Sequence, residues 1–206
     1  SPTLAFIIYY IPMEDTMEEN LEIEFKILIT KEIFDQIIND HQIDCCYKQT
    51  NHYLLHPRLS KLRYSLRIRD KNDQFELALK QPQKQSTLET NLKIDKETKE
   101  KILNHQLVTN EVFDKLKPLN LNSTMFITDY SLTTTRYEIS TPDGLICVDY
   151  NVYNNIIDYE LEYEVLDYKK GKQAFLDFIS QYHLDYSRNC MSKINRVITS
   201  IQNKKQ

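Results

Sequence analysis

The stretch Leu21-Glu22-Ile23-Glu24-Phe25-Lys26-Ile27 alternates strictly between apolar and charged residues. Successive side chains of a strand point to opposite faces. Leu21, Ile23, Phe25 and Ile27 therefore share one face, and Glu22, Glu24 and Lys26 share the other. Two carboxylates one pleat apart are spaced to share a hard divalent cation, and a lysine one pleat further reaches a phosphate held on that cation. A half-buried strand with a solvated charged face has the same pattern. Recurrence along the chain separates the two readings.

The pattern recurs at Leu62 to Arg69, where Leu62, Tyr64, Leu66 and Ile68 oppose Arg63, Ser65, Arg67 and Arg69. The cluster Asp70-Lys71-Asn72-Asp73 is a turn. Phe75 to Lys80 answers it, with Phe75, Leu77 and Leu79 against Glu76, Ala78 and Lys80, so the two runs predict a hairpin. Thr87 to Ile94 is a further strand carrying Glu89. Phe126 to Ser140 is β-rich and contains Arg136. Asp143-Gly144 is a hairpin turn signal, and Leu145 to Val152 follows with Asp149. Ile156 to Leu166 sets Tyr159, Leu161, Tyr163 and Val165 against Glu160, Glu162 and Glu164. Ile43 to Leu55 reads as one more strand, ended by Pro57.

Helices fall between these runs. Thr30 caps one over Lys31 to Asp40. Asp95 opens another through Gln106, and Thr109 caps a third over Asn110 to Leu116. The tail predicts helices over Gly171 to Gln181 and Ser192 to Asn203. Strands come first, then helices, then strands, then helices. That order predicts an α+β fold built on a large antiparallel sheet or barrel rather than alternating βαβ units. The tyrosines Tyr130, Tyr137, Tyr150, Tyr153, Tyr159 and Tyr163 read as outer-face packing under helices.

Composition narrows the function. The chain has 206 residues, 41% hydrophobic and 27% charged, which suits one ordinary globular domain. A formal charge of -4 gives no whole-chain attraction to nucleic acid or anionic membrane, and neither is expected as a partner. The cysteines Cys45, Cys46, Cys147 and Cys190 lack CxxC spacing and read as reduced thiols of a cytoplasmic protein, with Cys147 a core position. Gly144 and Gly171 are the only glycines, so no glycine-rich loop exists to cradle phosphates on backbone amides. Phosphate chemistry here falls to side chains. Residues 1–16 read as an N-terminal extension, non-native or disordered, with Met17 fitting a natural start and a single domain over 17–206.

The charged strand faces carry Glu22, Glu24 and Lys26; Arg67 and Arg69; Lys80; Glu89; Arg136; Asp149; and Glu160 and Glu162. Carboxylate pairs and basic pairs are segregated by strand. Glu76 and Glu138 share these faces and are placed to pair with the bases. If the sheet closes, all of them point into one lumen. Burying unpaired charge is costly, so such a lumen calls for a polyanion and divalent metal. Arginine forks bind phosphate oxygens bidentately, lysines act as point charges, and carboxylate pairs hold Mg2+ or Mn2+.

In this order, Glu22-x-Glu24-x-Lys26, Arg67-x-Arg69, Leu77-Ala78-Leu79-Lys80, Glu89, Arg136, Asp149 and Glu160-x-Glu162 resemble the CYTH superfamily, the triphosphate tunnel metalloenzymes. In particular the chain resembles bacterial CYTH-domain proteins of Bacillus and Staphylococcus type. The family is named for class IV adenylate cyclase and thiamine triphosphatase. The resemblance spans Leu21 to about Arg196. It implies a closed antiparallel barrel of about eight strands, with Mg2+ or Mn2+ held by Glu22, Glu24, Asp149, Glu160 and Glu162. It implies triphosphate contacts from Lys26, Arg67, Arg69, Lys80, Glu89, Arg136 and Lys193, and catalysis carried by Glu22, Glu24, Lys26, Glu160 and Glu162. Lys193 lies where the family often has a C-terminal base, with Arg196 its rival. Three alternating glutamates leave two pairings open, and the first, Glu160 with Glu162, is preferred, with Glu164 nearer the mouth. The activity implied is metal-dependent hydrolysis of tripolyphosphate, thiamine triphosphate or a nucleoside triphosphate by a monomer or homodimer. A class IV adenylate cyclase-like enzyme and a non-catalytic triphosphate or polyphosphate sensor are the alternatives.

Overall fold

The computed structural model describes residues 17–204; the N-terminal extension lies outside them. In chain order the elements are β1 (Met17–Ile29), α1 (Lys31–Asp40), β2 (Cys45–Tyr53), α2 (Pro57–Leu62), β3 (Ser65–Lys71), β4 (Gln74–Pro82) and β5 (Thr87–Ile94). Then come α3 (Lys96–Leu103), α4 (Glu111–Asp114), a 3-10 turn (Lys117–Leu119), β6 (Ser131–Thr141), β7 (Gly144–Tyr153), β8 (Ile156–Val165), α5 (Tyr168–Ser180) and α6 (Lys193–Asn203). The eight strands close into an antiparallel barrel in the order β1-β5-β4-β3-β2-β6-β7-β8.

β1 closes the barrel because it is long enough to serve two neighbours. Met17 to Glu22 pair with Leu92 to Thr87 of β5, and Ile23 to Ile29 pair with Val165 to Tyr159 of β8. The backbone of β1 beyond β5 is met by the segment before α6. Asn189 accepts from the Lys26 amide and donates to the Glu24 carbonyl, and the Cys190 amide donates to the Lys26 carbonyl. This satisfies groups that a sheet edge would otherwise leave unpaired.

The apolar faces point outward and helices cover them. Phe25, Ile27, Ile29, Val148, Leu161 and Tyr163 pack with Phe34 and Ile37 of α1 and Phe175 and Ile179 of α5. On the other side, Leu66, Ile68, Leu77, Leu79 and Leu92 pack with Leu59 of α2, Ile102 of α3 and Val112 and Phe113 of α4. Leu66, Ile68, Leu77 and Leu79 are fully buried, each worth about 1.5–3 kcal/mol relative to exposure. The lumen is thereby left to the charged faces.

Three expectations change. Leu62 does not begin a strand: Pro57–Leu62 is a helix capped by His56, and Arg63 leaves it in a left-handed conformation (φ 59) before β3 starts at Ser65. Asn110, not Thr109, caps α4, its side chain accepting from the Phe113 amide. Tyr153 lies on the inward parity of β7, and with Tyr53, Leu55 and Leu132 it packs on Val197 of α6. Tyr130 packs against that same cluster, with Ile194, Ile198 and Ile201 of α6. α6 thus plugs one end of the barrel with its apolar stripe, while Tyr137, Tyr150, Tyr159 and Tyr163 pack outside as expected.

Candidate active site

The lumen is a cavity of about 400 Å3, and Glu22, Glu24, Lys26, Arg67, Arg69, Lys80, Glu89, Arg136, Glu162 and Lys193 all line it. The charges fall into two groups on opposite walls. One is built by β1, β3, β4 and β5. Glu89, only 3% exposed, accepts from Arg67 at 3.2 Å and lies 3.8 Å from Arg69 and 3.9 Å from Lys80. Lys80 donates to Glu22 at 2.6 Å. Burial pushes the Glu22 carboxyl up, while at Glu89 a hydrogen bond with the Glu22 carboxyl, together with Lys80, Arg67 and Arg69, outweighs burial and holds the group down. Glu89, expected to touch substrate, is already engaged in orienting three bases. The Nε atoms of Arg67 and Arg69 are buried and have no partner. Both are free to donate to an acceptor that enters the cavity.

The other group is built by β6, β7, β8 and α6. Arg136 is bidentate to Asp149 at 2.8 Å on both arms and donates to Glu162 at 2.7 Å. Lys193 lies 2.8 Å from Asp149, 2.9 Å from Glu160 and 2.5 Å from Glu162. Carboxylate oxygens of Asp149, Glu160 and Glu162 all lie within 4.8 Å of one another. Burial pushes Glu160 up, whereas Lys193 and Arg136 overcome the same burial at Glu162 and hold it well below the usual carboxylate range. Burial opposes the charge on Lys193 too, but the three carboxylates raise its ammonium well above the ordinary lysine range. Asp149 and Glu160 are fully buried and lie behind Lys193 rather than on the cavity wall. A hard, all-oxygen donor set of this size fits Mg2+ or Mn2+.

Glu24 and Lys26 sit between the groups, bonded to each other at 2.9 Å. Burial pushes Glu24 up, but Lys26 and Lys80 outweigh it and hold the carboxyl down. Neither Glu22 nor Glu24 belongs to the acidic trio. Glu164 opposes Glu24 across the β1–β8 ladder, and its side chain is 37% exposed, so it lies nearer the rim than Glu160 and Glu162. Glu76 pairs with Arg69 at 3.4 Å. Glu138 accepts from the Tyr47 hydroxyl at 2.5 Å rather than from a base. Cys147 is buried, and burial pushes its thiol up and out of reactive range.

Sequence reasoning missed Asp158, which accepts from Tyr153 at 2.8 Å and pairs with Arg196 at 2.9 Å. It shares the parity of Glu160 and Glu162, so the two-residue period carried the signal. Lys193 and Arg196 both reach Glu160, one on each oxygen, and Lys193 is the one that lines the cavity. Asn189 had no signal in its spacing.

An eight-stranded barrel with apolar faces outward and a lumen of opposed acids and bases defines a class of tunnel barrel with a charged interior. The CYTH domain model matches residues 20–188, and the chain belongs to that family. It is 33% identical over 184 residues to "Putative triphosphatase YjbK" of Bacillus subtilis (strain 168), covering 87% of this chain and 95% of that protein. Among solved structures it is similar to a "putative adenylate cyclase" (bh2851) from Bacillus halodurans, at 31% identity and a TM-score of 0.79, covering 86% and 97% of the two chains. A Hippeastrum protein named "Putative adenylyl cyclase HpAC1", whose name also reports a dominant triphosphatase activity, shares the fold. It shows 17% identity and a TM-score of 0.68 over 86% of this chain and 95% of its own.

Proposed function

We propose that this protein is a divalent-metal-dependent triphosphatase that cleaves the terminal phosphate of an inorganic or organic triphosphate within the barrel. The observation that carries the reading is the convergence of Lys26, Arg67, Arg69, Lys80 and Arg136 on one cavity, with a tight carboxylate trio that reaches its wall through Glu162. The lining carries seven acids (Glu22, Glu24, Glu76, Glu89, Glu138, Glu162, Glu164) and seven bases (Lys26, Arg63, Arg67, Arg69, Lys80, Arg136, Lys193). Acids and bases are thus equal in number, and burial pushes Glu22 and Glu164 towards the protonated form. A polyanion carries more charge than such a lining leaves uncompensated, so cations enter with it.

Asp149, Glu160 and Glu162 are the residues that would hold the metal, with Glu22 and Glu24 on the adjoining wall as the second acidic pair. When bound, the metal supplies charge neutralisation at phosphate oxygens and a lowered pKa for water. The chain's own contribution is positioning. Arg67 and Arg69 present buried guanidinium edges, and Glu89 holds them from behind. Lys80 and Lys26 bring point charges from neighbouring strands. Arg136, pinned by Asp149 and Glu162, faces them from the opposite wall. A linear triphosphate between these walls is held straight, which favours in-line attack at its end.

The test is phosphate release from tripolyphosphate, thiamine triphosphate and nucleoside triphosphates with Mg2+ or Mn2+. The expected result is release from at least one of them, abolished by EDTA and restored by added metal. Tight tripolyphosphate binding without release under any metal would instead make the protein a sensor.

A further inference from the structure

Lys193 is the first residue of α6, directly after the Ser192 cap. Its ammonium contacts all three members of the acidic trio at 2.5–2.9 Å. A divalent cation bound to those carboxylates would need the same oxygens. Two cations confined to one small pocket repel strongly where water is scarce, and the side chains of Asp149 and Glu160 are 0% exposed.

We propose that Lys193 is a resident counter-cation of the trio that exchanges with the divalent ion, so that metal loading moves its side chain into the cavity. The proposal rests on the triphosphatase reading above and adds an ordering to it. Without metal, the trio is held by Lys193, by Arg136 on Asp149 and Glu162, and by Arg196, which Glu160 shares with Asp158. With a divalent ion added and the displaced ammonium still beside it, five positive charges face four carboxylates. Lys193 already lines the cavity, so its shortest route leads towards the substrate space. A triphosphate there cancels the surplus and accepts from the freed ammonium. Metal and triphosphate then each bind better in the presence of the other, and the coupling is reciprocal. The rest of α6 stays in place because Ile194, Val197, Ile198 and Ile201 pack into the Tyr53, Leu132 and Tyr153 cluster. Only the lysine side chain and the first turn need to shift.

Lys193→Met keeps the length of the stem and removes the charge. Metal-free parent and variant are titrated with Mn2+ alone, and free Mn2+ is followed by electron paramagnetic resonance. The variant is expected to bind Mn2+ at least about tenfold more tightly. A second measurement uses the unaltered protein. The buried Lys193 ammonium should give a protected 15Nζ signal, assigned by its loss in Lys193→Arg, and Mg2+ saturation should abolish that protection. Equal or weaker Mn2+ binding by the variant, or a 15Nζ signal unmoved by saturating Mg2+, overturns the exchange and leaves the metal-dependent reading standing. If neither protein binds Mn2+ and phosphate release persists in excess EDTA, the underlying reading falls and the exchange with it. Should the variant not stay folded without metal, the 15Nζ measurement decides alone.

Discussion

Arg67 has a buried Nε without a partner, while its Nη2 is held by Glu89. A charge-assisted bond to a phosphate oxygen is worth about 1.5–3 kcal/mol. Arg67→Ala should therefore weaken tripolyphosphate binding by about tenfold or more, read by calorimetry with inactive metal or none. The glutamates divide differently. Glu160 is fully buried between Lys193 and Arg196, and removing one partner of a buried ion pair costs about 3–5 kcal/mol. Glu22 is 21% exposed, beside Lys80, so its pairing should contribute about 1 kcal/mol or less. In urea melts of metal-free protein, Glu160→Gln should lower stability by several-fold more than Glu22→Gln, although both should abolish turnover. Equal midpoints would contradict the partnering of Glu160. The inward-facing residues were legible because parity alone assigns them, as at Glu22, Arg67, Lys80 and Glu162. Their partners were not. Which acid Lys193 or Glu89 meets depends on barrel closure and stagger, which join residues far apart in the chain.

Gly144 opens β7 at φ 155, and a Cβ there would lie 1.9 Å from the Glu164 carbonyl oxygen. The turn Asp143-Gly144 was visible in the sequence, but this close approach of β8 was not. Gly144→Ala should destabilise the protein by more than about 1 kcal/mol, since the backbone is strained for any other residue and the space is taken. Chemical denaturation would show a lowered midpoint with the slope unchanged; an unaffected midpoint would mean the β7–β8 contact gives way freely. Some elements were read to the residue, as at Thr87–Ile94 and Lys31–Asp40, whereas β6 starts at Ser131 rather than Phe126 and α3 ends at Leu103 rather than Gln106. α2 was missed for a physical reason. At six residues it is too short to display a helical period, and Leu62 and Tyr64 fall by chance in step with Leu66 and Ile68. The placement of Tyr153 failed similarly. A buried aromatic beneath a plug helix inside a barrel has the same local pattern as one beneath a helix outside.

At the scale of the whole barrel, charge balance decides how ligands act together. The lumen is matched acid to base before anything enters. Tripolyphosphate alone must bring uncompensated negative charge into a cavity whose wall carboxylates Glu24, Glu89 and Glu162 stay ionised, each held below the usual carboxylate range. Metal alone must displace the cation already resting on Asp149, Glu160 and Glu162. Neither obstacle remains when both enter. A ligand at a hundredfold excess over its Kd stabilises the folded state by about 2.7 kcal/mol. In a chain of this length that corresponds to a rise in Tm of roughly 5–10 °C. Tripolyphosphate with Mg2+ should give a shift of that order, in a variant such as Glu22→Gln that does not consume the ligand. Either component alone at the same concentration should give less than about a third of it. The two are separable in one thermal-unfolding series with four arms: protein alone, metal, triphosphate, and both. Shifts that simply add would mean that the two ligands ignore one another. The matched numbers of acids and bases would then be a balance struck for folding alone, with no bearing on how substrate and metal enter.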